Sequence, residues 1–175
     1  TDSGFSWFSS GHAGNTVIRV VMSSLDTSLL YAAVSGAGVH RSEDGGQSWL
    51  SVSNGLPTLN VQSLAIFPDN SDGLYVGVDN SGIYRTLNGG GTWTSSSAGG
   101  GRDVRQIIVD PINTNIAYAS VTEWFRKTSN KGDSWSISDS GIPSRLSFGM
   151  AMDPANAQVL YVGPWWTSGG FGVYK

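Results

Sequence analysis

One eight-residue pattern recurs along this chain at nearly constant spacing. The segment from Ser42 to Trp49 reads SEDGGQSW, and the segments ending at Trp93 and Trp135 read TLNGGGTW and TSNKGDSW. A copy without its first residue, TDSGFSW, ends at Trp7. The four tryptophans are separated by 42, 44 and 42 residues. Because self-similarity at a fixed period indicates one supersecondary unit repeated in space, this spacing constrains the fold more than any other feature.

Each repeat contains the same succession of short apolar runs. The first three repeats read VIRVVM, LLYAAV, GVHRS; then VQSLAIF, LYVGV, GIYRT; then VRQIIV, IAYASV, WFRKTS. Turn-forming residues separate the runs, so each run is predicted to be a strand, and the tryptophan begins a fourth. The sequence therefore predicts an all-β chain, a β-propeller of about four four-stranded antiparallel blades with the octets as hairpins. The repeats span residues 7–48, 49–92, 93–134 and 135–175, with 1–10 completing the last blade.

Composition narrows the possible partners. Only 13% of the residues are charged, the formal net charge is −3, and no basic stripe is present, so we expect neither nucleic acid nor a membrane as partner. Cysteine is absent, which excludes disulfides and thiolate sites. The two histidines, His12 and His40, are too far apart in repeat register to suggest a metal site. We expect no cofactor.

Turn chemistry accounts for most of the octet. One position holds a short side chain that accepts backbone hydrogen bonds: Asp2, Asp44, Asn88 and Asn130. The glycine two residues later is expected to have a positive φ, and the tryptophan is expected to pack across its hairpin or against the adjacent blade. Lys131 stands where Gly45 and Gly89 stand in the other complete copies, which predicts a slightly different turn there.

The pattern Ser/Thr-x-Asp/Asn-x-Gly-x-Ser/Thr-Trp resembles the Asp-box, or BNR, repeat, and the resemblance extends over essentially the whole chain. Sialidases, xyloglucan-hydrolysing glycosidases, sortilin-type receptors and photosystem II assembly propellers carry such boxes. The resemblance implies a propeller, an extracellular or periplasmic location, and a box that lies away from the central ligand site. It does not choose among these families.

Ligand contacts are expected in the loops near the propeller axis. The loops between the second and third strands of the last two repeats contain Trp124, Trp165 and Trp166, which have no counterparts in the other repeats. Exposed aromatic side chains of this kind stack on sugar rings. The alternative role for all three is packing between blades.

A glycosidase requires two carboxyl groups that flank the scissile bond. Glu123 and Asp79 lie in equivalent loops of adjacent repeats and are the candidate acid and base, with a solvated loop carboxylate as the alternative role for each. Arg19, Arg105 and Arg145 lie in or just before first strands, but the nucleophile pair of a sialidase cannot be placed.

Two functions of different class remain open from the sequence. The first is a carbohydrate-binding module, or part of a secreted glycoside hydrolase of xyloglucanase-like type. The second is a non-catalytic scaffold that binds a protein partner, like the sortilin-type or assembly-factor propellers. The ring is expected to be a self-closed four-bladed ring, a homo-oligomer of chains joined head to tail, or part of a longer propeller.

Overall fold

Antiparallel β-sheets account for all regular structure in the described part of the chain. A computed structural model describes residues 9–11, 15–96, 102–122, 124–142, 147–164 and 173–175. It contains three four-stranded sheets and one two-stranded sheet, and each sheet follows the chain order of its strands. The predicted all-β propeller architecture is confirmed. Each sheet is one blade, and we name the strands of a blade A to D from first to last.

The strands follow the apolar runs of the repeats. Blade 1 contains β1 (Val17–Met22), β2 (Leu30–Val34), β3 (Gly38–Ser42) and β4 (Leu50–Ser51). Blade 2 contains β5 (Val61–Phe67), β6 (Asn70–Val78), β7 (Gly82–Thr86) and β8 (Thr94–Ser95). Blade 3 contains β9 (Val104–Val109), β10 (Ala117–Val121), β11 (Trp124–Thr128) and β12 (Ser136–Ile137). Blade 4 contains β13 (Ser147–Met152), β14 (Leu160–Pro164) and a bridge between Val162 and Tyr174.

The core lies between blades, because alternate residues of a strand face opposite neighbours. Tyr31 and Val39 of blade 1 pack in one buried cluster with Val61 and Leu64 of blade 2. The next interface repeats this arrangement in a second cluster, where blade 2 packs on Val104 and other residues of blade 3. The A strands β1, β5, β9 and β13 are neighbours around the axis.

Small residues in the B strands allow this close packing. A Cβ built on Gly77 would lie 2.7 Å from the Cβ of Val104 in the next blade. Real Cβ atoms do not approach so closely, so only glycine fits at this point of the interface. Gly77 therefore permits a close contact between two sheets.

The octets form the same hydrogen-bonded turn in blades 1, 2 and 3. In blade 1 the Asp44 carboxylate accepts bonds from the Ser48 amide at 2.9 Å and from the Ser42 hydroxyl at 2.8 Å. The Ser42 hydroxyl in turn accepts a bond from the Gly46 amide at 2.8 Å. Asn88 and Asn130 occupy the place of the aspartate and accept the equivalent bonds.

The prediction of a different turn at Lys131 is wrong. Its φ is 52°, in the same left-handed region as Gly45 at 71° and Gly89 at 67°. The Thr128 hydroxyl accepts the Gly132 amide at 2.9 Å, as in the other boxes. The turn is maintained because its hydrogen bonds to Asn130 and Thr128 hold a non-glycine residue in a conformation that costs roughly 1–2 kcal/mol.

The tryptophan of each octet forms a hydrogen bond from its blade to the preceding part of the chain. The Trp93 indole N–H donates to the Val52 carbonyl at 2.6 Å, and the Trp135 indole N–H donates to the Ser96 hydroxyl at 3.0 Å. Trp49 makes the equivalent bond to the Ser10 carbonyl at 2.8 Å. The predicted packing of the tryptophan against the adjacent blade is confirmed, so the boxes fix the relative position of the blades at the outer rim.

Candidate functional site

A cleft lies where the A strands of blades 1, 2 and 3 meet. It consists of two adjoining cavities of about 460 and 190 Å³. Three side chains, those of Ile18, Gln62 and Arg105, line both cavities. We call the space bounded by these residues the axial cleft.

The three shared residues occupy the same position of successive A strands, and each is a β-bulge. In blades 1, 2 and 3 the pairing between strands A and B skips one residue of strand A. The paired residues on the two sides of the gap are Val17 and Arg19, Val61 and Ser63, and Val104 and Gln106. The residue left out of the pairing is Ile18, Gln62 or Arg105. Since a bulge turns its extra residue out of the regular alternation, three blades direct one side chain each to the cleft.

The B–C loops close one end of the cleft. The first residue of each loop donates its amide to the residue just before the A strand: Ser35 to Thr16 at 2.9 Å, Asp79 to Asn60 at 2.8 Å, and Thr122 to Asp103 at 3.0 Å. This repeated bond brings loops of successive blades to one end of the axis. Ser35, Asn60 and Asp79 line the larger cavity as a result.

Asp79 makes polar contacts with two blades. Its carboxyl group accepts a hydrogen bond from the Gln62 side-chain amide at 2.8 Å. It also shares a hydrogen bond with Asp103 of blade 3, and this bond raises the pKa of Asp79, with smaller contributions from burial and from the Asp103 charge. Arg105 forms an ion pair with Asp103 at 3.2 Å. The Asp79 carboxyl group therefore holds its proton more readily than an isolated aspartate does.

Opposite charges are nearly balanced around the axial cleft. Arg19 and Arg105 line it as cations, and Asp79 and Asp103 stand beside each other at its end. Amide and hydroxyl groups of Gln62, Ser63 and Asn60 add neutral donors and acceptors. Such a surface binds a polar ligand of low charge better than a polyanion.

Trp124 begins strand β11 at the same end of the propeller. Its ring is partly buried, and the Arg102 guanidinium lies 4.2 Å from the ring centroid. The Arg126 guanidinium lies 5.7 Å from the same centroid. Both distances are in the range of cation–π contacts, so one part of the indole surface is already covered by arginine.

The structure describes two of the five predicted site residues. Asp79 lies in the axial cleft and Trp124 lies at the same end of the axis. Glu123, Trp165 and Trp166 lie outside the described residues, so the proposed Glu123–Asp79 pair stays a prediction. The carboxyl group that Asp79 contacts is that of Asp103, which the sequence did not single out.

Sequence reasoning missed Gln62, considered Arg105 only for a sialidase site, and missed Asp103. A signal for the first two is present, since each is a polar residue that interrupts an apolar run at its second position, VQSLAIF and VRQIIV. Gln62 and Arg105 approach one cleft because of the bulges. A bulge is a feature of the pairing between two strands, and the sequence of one strand does not show it. Asp103 precedes a strand in a different blade from Asp79, so their contact depends on blade packing.

Neither a metal cluster nor a membrane span is found in the described residues. No group of three or more His, Asp or Glu side chains there is arranged to hold a metal ion. No helix among residues the structure describes is long and apolar enough to cross a membrane.

Comparison with known proteins gives structural but not sequence matches. No family model and no curated protein matches the chain. An ancestral GH74 enzyme superimposes with a TM-score of 0.76 at 23% identity, over 86% of this chain and 22% of that one. An auxiliary nutrient binding protein from Bacteroides thetaiotaomicron gives 0.63 at 15% identity, over 83% and 35%. YCF48 bound to D1 peptide gives 0.60 at 14% identity, over 91% and 53%.

These likenesses are all below 25% identity, so they show a shared fold and do not assign an activity. The chain spans between about a fifth and about a half of each of these structures. The repeated sheets, the inter-blade cores and the structural neighbours together show that the chain has a β-propeller fold, and its described residues contain strands of four consecutive blades.

Proposed function

We propose that this chain is a carbohydrate-binding propeller module whose axial cleft takes a segment of a neutral polysaccharide. The observation that carries the proposal is the set of equivalent bulges that direct Ile18, Gln62 and Arg105 into one cleft beside Asp79. Sugar hydroxyl groups both donate and accept hydrogen bonds, which matches amide, carboxyl and guanidinium groups. Trp124 adds an aromatic surface at the same end of the axis.

Binding is favoured over hydrolysis by the contact between the two described acidic groups. Retaining glycosidases place their carboxyl groups roughly 5 Å apart and inverting enzymes roughly 6.5–9.5 Å apart, with the substrate between them. Asp103 raises the pKa of Asp79 chiefly through a side-chain hydrogen bond, and a direct contact of this kind is closer than either glycosidase spacing. For this pair we therefore propose a binding role, and a glycosidase role for Asp79 requires a different partner such as Glu123.

Isothermal titration of the 175-residue chain with xyloglucan and cello-oligosaccharides tests the proposal. The Gln62→Ala variant removes one cleft amide, and we expect binding about tenfold weaker, the equivalent of roughly 1.4 kcal/mol. The Trp124→Ala variant is expected to weaken binding similarly. Gln47→Ala is the matched control, because Gln47 is an exposed glutamine of the box turn, remote from the A strands.

Unchanged affinity of both Gln62→Ala and Trp124→Ala would contradict the proposal, as would the absence of binding to every glycan tested. Release of new reducing ends from the polysaccharide would instead indicate catalysis. The Asp79→Asn variant then distinguishes two roles. Loss of a catalytic carboxyl group abolishes the release of reducing ends, whereas loss of a binding group raises KM and leaves kcat unchanged.

A peptide is the second candidate ligand for the same cleft. One of the structural neighbours is YCF48 bound to D1 peptide, and a propeller scaffold for protein partners needs no carboxyl pair at glycosidase spacing. Arginines at the cleft suit the terminal carboxylate of a peptide. Binding of a peptide selected from a peptide library, together with no binding of any glycan tested, would favour this scaffold function.

The proposed ligand implies a location outside the cytoplasm. Polysaccharides of the cell wall or environment are met by secreted proteins, and the Asp-box resemblance carries the same implication. We therefore propose an extracellular or periplasmic protein. Immunodetection in fractionated cells of the source organism tests this, and a purely cytoplasmic signal would contradict it.

A further inference from the structure

Strand β1 exposes a surface that its counterparts bury. Val20 is 49% exposed and Met22 is 53% exposed, and Val17 and Ile18 beside them are also exposed. The residues equivalent to Val20 in the next two blades are Leu64 and Ile107, which are 2% and 3% exposed. Ala32 and Val34, which pair with Val20 and Val17, are buried, so the large exposed apolar side chains of this side lie on β1. We call this patch the β1 face.

Blade 4 exposes the complementary surface at the other end of the chain. Val173 precedes the bridge residue Tyr174 and is 73% exposed, whereas the residues equivalent to it in the other blades are buried: Val39, Ile83 and Phe125. Tyr161 is 39% exposed, whereas its equivalents Tyr31 and Tyr75 are fully buried and Tyr118 is partly buried. We call this patch the Tyr161 face.

The interfaces between blades 1, 2 and 3 show what the residues equivalent to these two faces pack against. Tyr31 and Val39, the equivalents of the Tyr161 face, lie in one buried cluster with Val61 and Leu64, the equivalents of the β1 face. The same equivalents form the cluster between blades 2 and 3. The two exposed faces are thus the two halves of an interface that the chain already makes within itself.

The described residues of blade 4 leave Val20 and Met22 of the same chain exposed. The matching face is available on a second copy. An apolar patch of this kind, complementary to another patch on the same molecule, associates head to tail, and such contacts form a closed ring where the rotation permits.

We propose that two copies of this chain associate head to tail, with Tyr161 and Val173 of one copy packed on Val17, Val20 and Met22 of the other. This inference is independent of the proposed ligand. It predicts a specific oligomer in which the interface between chains repeats the interface between blades.

Light scattering after size exclusion of the 175-residue chain is the first test. The expected mass is about twice 18.5 kDa. The Val20→Asp variant places a charge in the apolar contact, which is expected to weaken association at least about 100-fold and to give a monomer. Ile112→Asp is the matched control, since Ile112 is 74% exposed in the turn between β9 and β10 and belongs to neither face. It is expected to remain dimeric.

A mixing experiment distinguishes the head-to-tail arrangement from a symmetric contact between two β1 faces. Val20→Asp keeps an intact Tyr161 face, and Val173→Asp keeps an intact β1 face. Each variant alone is expected to be monomeric, and an equimolar mixture is expected to form a dimer through one remaining good contact. Circular dichroism confirms folding of both variants, whose altered side chains are exposed in the single chain.

Three results would overturn the proposal. A wild-type monomer at 100 μM would show that the faces do not bind each other. A dimer that survives Val20→Asp would place the contact elsewhere. A dimer of Val173→Asp alone would indicate a symmetric contact between β1 faces.

Discussion

At the outer rim, three box turns from different blades make the same hydrogen bonds, with Asp44, Asn88 and Asn130 in one role. At the axial end of the same blades, one equivalent position holds Ile18, Gln62 and Arg105. Both ends are set by repeated backbone geometry, yet only the rim repeats its side chains. The rim holds blades together and tolerates few residue types, whereas the bulges fix where a side chain points and leave its chemistry free to vary.

The largest effect is expected from a glycine of the rim. Gly90 has a φ of 88°, and a Cβ there would lie 2.6 Å from the Val52 carbonyl oxygen of the preceding blade. Gly90→Ala combines left-handed strain with overpacking, so we expect the free energy of unfolding to fall by about 3 kcal/mol in urea titrations. Gly45→Ala is the control, because φ is 71° but no atom lies within 4 Å. It should cost about 1 kcal/mol, and equal losses for both variants would mean that blade contact is unimportant.

Two glutamines of adjacent A strands give the next contrast. The Gln106 side chain donates to the Met150 carbonyl at 2.9 Å and accepts the Met150 amide at 2.7 Å, which joins blade 3 to blade 4. Gln106→Ala leaves these groups without partners and should cost about 1–3 kcal/mol of unfolding free energy. Gln62→Ala, whose side chain faces the cleft, should change stability by less than about 0.5 kcal/mol. The reverse ranking in urea unfolding would assign Gln62 a structural role.

Acid titration separates the two ends by the sign of a pKa change. Hydrogen bonds from the Ser48 hydroxyl and amide and from the Ser42 hydroxyl lower the pKa of Asp44 to about 2, from 3.8. Since the folded-state pKa lies below the unfolded one, the stabilisation is complete above pH 3.8 and is lost as the pH falls from there to about 2. Asp44→Asn should flatten the stability profile in this interval, measured by thermal unfolding, because asparagine serves the same role in the other boxes.

Asp79 at the axial end is expected to titrate in the opposite direction. Its hydrogen bond with Asp103 raises its pKa, so its stabilising contribution is present at low pH and is lost as the pH rises through that raised value. Carboxyl carbon shifts in an NMR titration should give a midpoint for Asp79 above 3.8 and a midpoint for Asp44 below it. Midpoints in the reverse order would contradict both assignments.

The smallest effect is expected at Lys131. Lys131→Gly removes left-handed strain of roughly 1 kcal/mol, but it also removes the exposed ion pair with Asp69 at 3.0 Å and increases the entropy of the unfolded chain. These terms nearly cancel, so the unfolding free energy should change by less than about 0.5 kcal/mol. A gain above 1 kcal/mol would show that the box turn of blade 3 is strained.

The strand positions and the rim were predictable from the sequence because they depend on local patterns. The run VQSLAIF with its flanking turn residues forms β5, and the octet residues Ser42 and Asp44 bond within their own turn. Lys131 was misjudged since the sequence shows residue identity and not the hydrogen bonds that hold a φ of 52°. Asp79 was placed in the correct loop, but its contact with Asp103 joins two blades and has no local signature.

By itself, the sequence determined the repeat, the strand order within a blade and the turn that begins each D strand, because these follow from short-range spacing and from the conformations that Gly, Asp and Asn allow. Only the tertiary structure decided that Ile18, Gln62 and Arg105 share one cleft, and that Val20 and Tyr161 stay exposed while their equivalents are buried. The reason is physical: each of these outcomes depends on how one sheet packs against the next, and identical strand patterns acquire different surroundings according to the blade that lies beside them.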